Sequence, residues 1–153
     1  MVTCAGRSDP SLSIYCSFDN VKNNVVKGGS KYKNDSEVVG GAKFNNGKVG
    51  KAIELKQEVW VKINDAEFKN LPKDGFTLAT WLITKIQEMR KVYLMLSATN
   101  MGAGLFHVEI RPAGFQFFHR NDDQAEVFNI NPRPVINGKI WHYFAGTYDG
   151  KTR

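Results

Sequence analysis

The sequence predicts an all-β protein, an antiparallel β-sandwich of jelly-roll type, on three observations. Apolar and polar residues alternate with period two in about ten short runs. Clusters of Gly, Asn, Asp and Pro separate those runs at short intervals across the 153 residues. No stretch sustains a convincing helical period. The nearest competitor is Thr84–Leu96, where Ile86, Met89, Tyr93 and Leu96 fall near 3.6 spacing, and the β-favouring run Val92–Leu96 outweighs it.

Residues 1–10 read as an N-terminal extension and residues 11–153 as one domain. Ser11–Phe18 places Leu12, Ile14, Cys16 and Phe18 on one side, as a half-buried strand does, and Asp19-Asn20 ends it. Residues 20–36 are rich in Asn, Lys, Gly and Ser and read as a long loop with one short strand at Val25-Val26. Strands follow at Val38–Phe44 and Lys51–Leu55, joined by Asn45-Asn46-Gly47-Lys48, whose Asn-Gly pair favours the positive φ of a hairpin turn. Gln57–Ile63 alternates cleanly, with Val59, Val61 and Ile63 on one face and Glu58, Trp60 and Lys62 on the other. Asp65–Leu71 reads as holding one helical turn, and Pro72–Gly75 as a turn.

Phe76–Lys85 sets Phe76, Leu78 and Leu82 on one face and Ala79, Trp81 and Ile83 on the other, so it calls for cover on both sides. Val92–Ser97 is the next strand. Leu105–Arg111 then turns Phe106, Val108 and Ile110 inward and His107, Glu109 and Arg111 outward. Phe115–Arg120, Glu126–Ile130 and Ile140–Tyr148 complete the series, and Phe76, Leu78, Trp81, Phe106, Phe117 and Trp141 are the expected core.

Lys and Arg number 21 against 15 Asp and Glu, a net charge of +6. Ten Phe, five Tyr and three Trp exclude a disordered chain. No apolar run approaches the roughly 20 residues of a membrane-spanning helix, so no membrane insertion is expected. The basic residues are scattered, densest from Lys22 to Lys51, and form no nucleic-acid-binding arm. Their excess favours an anionic glycan as partner, with binding that weakens as salt rises. Cys4 and Cys16 form no C-x-x-C pair and have no histidine at metal-ligand spacing, so a structural disulfide in an oxidising compartment is expected. Asn34-Asp35-Ser36 is a glycosylation sequon with Asn34 as acceptor, which agrees with secretion.

Four segments in order resemble the laminin-G-like, concanavalin A-like lectin/glucanase superfamily, in its pentraxin-like branch. They are Tyr15–Asp19, Phe44–Leu55, Phe76–Trp81 and Trp141–Gly150, the last reading Trp-His-Tyr-Phe-Ala-Gly-Thr-Tyr-Asp-Gly. The resemblance implies an extracellular jelly-roll domain that binds a ligand on its surface. It also implies a calcium ion at the rim, held by Asp19, Asn20 and Asp149, which match the family's Phe-Asp and Tyr-Asp-Gly positions. The alternative for Asp19 and Asp149 is that they accept turn backbone N–H groups. Asp122-Asp123 is the one adjacent acidic pair. Family members continue past the Tyr-Asp-Gly turn with closing strands. The resemblance therefore implies unpaired sheet edges here, completed by another segment or by dimerisation.

Catalysis is not expected. A glycosidase needs two carboxylates about 5–10 Å apart. Glu54 and Glu58 straddle a turn, and Glu109 is followed on its face by Arg111. No Gly-x-Ser-x-Gly elbow is present. The expected ligand surface is Trp60 and Lys62, with His107, Glu109, Arg111 and Arg120 on a neighbouring polar face. The alternative for Trp60 is packing under the 20–36 loop. The sequence thus points to a non-catalytic extracellular module for a glycan or protein ligand. A structural or adhesive domain of a larger matrix or cell-surface protein is the alternative.

Overall fold

The computed structural model describes residues 9–63, 68–72, 74–84, 93–97, 106–111, 114–120, 123, 125–132 and 140–151; within 93–111 it describes the side chains of Val108 and Glu109 alone. Every regular element among them is a β-strand, and every ladder is antiparallel. The all-β expectation therefore holds. The chain divides into two compact units, Met1–Pro72 and Lys73–Arg153.

In the first unit, β1 (Val21–Lys22), β2 (Val25–Val26) and β3 (Ser36–Val39) stand side by side. The hairpin β4 (Lys43–Asn46) and β5 (Lys51–Glu54) forms a separate ribbon, and β6 (Trp60–Ile63) completes the first sheet beside β3. Val26, Val38 and Val59 are buried, whereas Glu37, Trp60 and Lys62 are exposed, so the period-two pattern of 57–63 is realised. The predicted strand Val38–Phe44 is two strands instead. Gly40 and Gly41 between them take φ of 87° and 69°, and a Cβ on Gly40 would run into the Glu58 carbonyl oxygen. The hairpin turn also sits two residues later than Asn-Gly suggests. Asn46 pairs with Lys51 in the ladder, and the Gly47 N–H donates to the Gly50 carbonyl at 2.8 Å.

Segment 11–18 joins no ladder, contrary to expectation. Leu12, Ile14, Cys16 and Phe18 are half-buried, but loop groups satisfy the backbone. The Ser13 carbonyl accepts from Ser30 Oγ at 2.9 Å and Asn34 Nδ2 at 2.8 Å, and the Tyr15 carbonyl accepts from the Gly29 N–H at 2.9 Å. Of the helical turn predicted at Asp65–Leu71, residues 65–67 lie outside the described residues.

The second unit holds β7 (Phe76–Leu82), β8 (Tyr93–Ser97), β9 (Phe106–Arg111), β10 (Gly114–Arg120), β11 (Glu126–Ile130) and β12 (His142–Tyr148). The strands β8 to β11 form a meander, and β7 pairs with β12 over seven residues in a ribbon. The inward side chains Phe76, Leu78, Phe144 and Tyr148 of that ribbon pack on Val108, Phe117 and Phe128. Aromatic rings meet edge-on there, Phe117 with Phe128 at 4.8 Å and with Phe76 at 6.1 Å between centroids. Gly146 is buried beneath Phe117: a Cβ at that position would stand 3.0 Å from two carbons of the ring.

The solvent side of the ribbon matches like with like. Thr77 faces Thr147, their hydroxyls 3.0 Å apart; Ala79 faces Ala145; and Trp81 faces Tyr143 with centroids 5.1 Å apart. Trp81 is 42% exposed, so it lies outside the core in which the sequence placed it. The reason is that one face of β7 is packed by Phe76 and Leu78, and its other face is at the surface. Trp141 is half-buried, and the Phe106 side chain lies outside the described residues.

Candidate functional site

The best-formed surface is the outer face of the first sheet. A turn in which the Val59 N–H donates to the Lys56 carbonyl at 3.0 Å launches β6, with Val59 buried and Trp60 turned out. Trp60 is 51% exposed, so it does not lie under the 20–36 segment. That segment instead supplies β1 and β2 at the far side of the same sheet. Register builds the surroundings of the indole. Val39 stands opposite Trp60, Glu37 opposite Lys62, Val25 opposite Glu37 and Lys22 opposite Val25. At about 4.8 Å per strand, the row from Lys62 to Lys22 spans roughly 14 Å, with Trp60 about 7 Å along β6 from Lys62. Glu37, Lys22, Lys62 and Glu58 are exposed, and Val39 and Val25 are half-buried. The sequence singled out Trp60 and Lys62 and missed Glu37, Lys22 and Val39. The alternation Ser36-Glu37-Val38-Val39 was the available signal.

The second predicted face is only partly as expected. Register places His107, Glu109 and Arg111 of β9 on the same side as Gln116, Phe118 and Arg120 of β10. Glu109, however, is 6% exposed, which corrects its expected outward, solvent-facing placement. Gln116 beside it is also buried. Its Nε2 donates to Asn129 Oδ1 at 2.9 Å, and Asn129 Nδ2 donates to Glu126 Oε2 at 2.9 Å. Arg120 is exposed and lies 5.7 Å over the Phe118 ring. The side chains of His107 and Arg111 lie outside the described residues.

Asp19 and Asn20 belong to the first unit and Asp149 to the second. Asp19 Oδ1 accepts the Lys51 N–H at 2.8 Å, and Asp149 Oδ1 accepts the Lys151 N–H at 2.9 Å. Each carboxylate thus satisfies a nearby backbone donor, and Asn20 is exposed just before β1. Among the described residues, no three His, Cys, Asp or Glu side chains gather as a metal site. Asp122 lies outside the described residues. An open cleft of about 540 Å³ in the second unit is lined by Asp74, His119, Tyr148, Asp149, Gly150 and Lys151. It holds two carboxylates, those of Asp74 and Asp149, both exposed.

Asn34 is a structural side chain rather than an accessible glycan acceptor. It is 5% exposed, its Nδ2 donates to the Ser13 and Lys69 carbonyls at 2.8 Å each, and its Oδ1 accepts the Lys69 N–H at 2.8 Å. Cys16 carries a free thiol, its Sγ 3.3 Å from Ser36 Oγ, and the expected bridge falls on Cys4, which lies outside the described residues. Burial pushes the Cys16 thiol up, an effect the Ser36 hydroxyl opposes and the Asp35 charge reinforces. The buried neutral thiol therefore costs nothing below its ordinary value of 9.0, and stability falls as pH rises beyond it. In a Cys4→Ser variant at pH about 8, iodoacetamide is expected to alkylate Cys16 at least about tenfold more slowly in the native than in the unfolded protein. Equal rates would refute the burial argument.

Comparison of the chain with protein-family models, curated proteins and solved structures finds no match.

Proposed function

We propose that this chain is a non-catalytic extracellular binding module, with a laminin-G-like jelly-roll sandwich as its architecture. It recognises a glycan or a protein through the outer face of the first sheet. One observation carries the reading: a half-exposed indole, Trp60, stands on a regular sheet face with charged groups of both signs around it. A large aromatic exposed on a rigid strand loses little conformational entropy on contact, which is what a recognition anchor needs. The four family-like segments support the architecture. They also motivate calcium as an accessory to binding, with Asp19 and Asn20 of the first unit and, separately, Asp149 of the second as candidate ligands.

Arrays of glycans and of extracellular proteins, probed with the wild type and with Trp60→Ala, test the reading. A ligand whose affinity falls at least about 30-fold in Trp60→Ala is the expected result. A ligand held equally by both proteins would refute the face. Repeating the assay with EDTA tests calcium, since the rim ion predicts that chelation weakens binding.

The adhesive alternative has its own observation, the exposed outer side of the β7–β12 ribbon with Trp81, Tyr143 and Ile83. It predicts a concentration-dependent dimer or self-association in sedimentation, weakened by Tyr143→Ser.

A further inference from the structure

We infer that the Trp60 face selects an uncharged glycan, with a pyranose ring stacked on the indole and its hydroxyl groups shared between Glu37 and Lys62. This inference rests on the binding-module reading above and names the ligand class of that same face.

The charge count on the face points this way. The ionic pair that the ladder places beside the indole, Lys62 and Glu37, is formally neutral in a protein of net charge +6. The excess lies in such places as the β4–β5 hairpin and its flank, where Lys43, Lys48, Lys51 and Lys56 outnumber the acidic Glu54 and Asp19. A sulfate or carboxylate brought to Lys62 would also meet Glu37, directly across the ladder with Cβ atoms about 5 Å apart. Attraction and repulsion then nearly cancel, and an anion gains little there.

A hydroxyl group suffers no such conflict, because it donates to the Glu37 carboxylate and accepts from the Lys62 ammonium. Both groups are exposed and lie beside the indole on one sheet face. Val39, opposite Trp60, extends the apolar floor on which the C–H side of a sugar ring rests. The roughly 14 Å row offers room for a short oligosaccharide. The anionic preference read from net charge is thus a property of other lysines, and this face is set for a neutral ligand.

The test is titration calorimetry of the full chain against neutral oligosaccharides of glucose, galactose, mannose and N-acetylglucosamine. Their sulfated and sialylated counterparts are run beside them, at about 0.1 M and about 0.5 M salt. The expected result is a neutral sugar whose affinity changes less than about twofold with salt. Trp60→Ala should weaken it at least about 30-fold, and Trp60→Phe should retain part of the binding. Glu37→Gln and Lys62→Met should each cost about three- to tenfold. Circular dichroism of each variant checks that the fold is intact. Binding confined to sulfated or sialylated sugars, or lost steeply with salt, would overturn the inference. A protein ligand bound through Trp60 while every sugar fails would overturn it and leave the binding-module reading standing. No ligand of either class would overturn both.

Discussion

Replacing Asn34 by Ala is expected to destabilise the first unit by about 3 kcal/mol in chemical denaturation. Three segments meet at this one amide, since Asn34 bonds to the Ser13 carbonyl and to both backbone groups of Lys69. Truncation leaves these groups without a partner where water reaches poorly, and an unsatisfied buried group costs more than its hydrogen bond contributed. Asn34→Asp separates donor from acceptor effects. The new carboxyl keeps an acceptor for the Lys69 N–H but, once ionised, faces two carbonyl oxygens with no hydrogen to give. Burial and those carbonyls favour its protonated form, so the variant should hold up best in mild acid and lose stability as pH rises. A loss below about 0.5 kcal/mol for Asn34→Ala, or pH-independent stability for Asn34→Asp, would refute this account.

Phe117→Ala is expected to cost about 3–5 kcal/mol, the largest effect in the second unit. The ring is buried against Phe76 and Phe128 and covers Gly146, so its removal opens a void with stiff aromatic walls. Relaxation cannot fill that void, because the neighbours belong to two different ladders. Phe117→Leu should recover about half of the loss. Denaturant midpoints followed by the near-ultraviolet signal of the aromatic cluster would show it. A change under about 1 kcal/mol would mean that this cluster is not the core.

Much of the architecture was legible because alternation and burial coincide. In 57–63, Val59, Val61 and Ile63 turn inward and Trp60 and Lys62 outward, and the same rule placed Phe76, Leu78, Val108 and Phe117. Alternation says which side of a strand a residue takes, but not whether that side is covered. Glu109 therefore came out buried on a face read as open, and Trp81 exposed on a face read as closed. Segment 11–18 misled for another reason, as its carbonyls bond to Ser30, Asn34 and Gly29 instead of to a neighbouring strand. In residues 20–36 the short strand expected at Val25-Val26 is β2, whereas the loop-like composition hid β1 and with it Lys22 of the candidate face; Glu37 follows that stretch. The sequon at Asn34 matched a chemical pattern, whereas local packing decides what its amide does.

The matched rungs of the β7–β12 ribbon bear on how this half of the molecule assembles. Threonine against threonine, alanine against alanine and indole against phenol make only one alignment comfortable, and sliding by two positions would set a bulky ring against a methyl. The partners Thr77 and Thr147 lie 70 positions apart, so the chain must close a long excursion before any rung is rewarded. Assembly of this half should be slow and nearly all-or-none, with few stable mis-threaded alternatives.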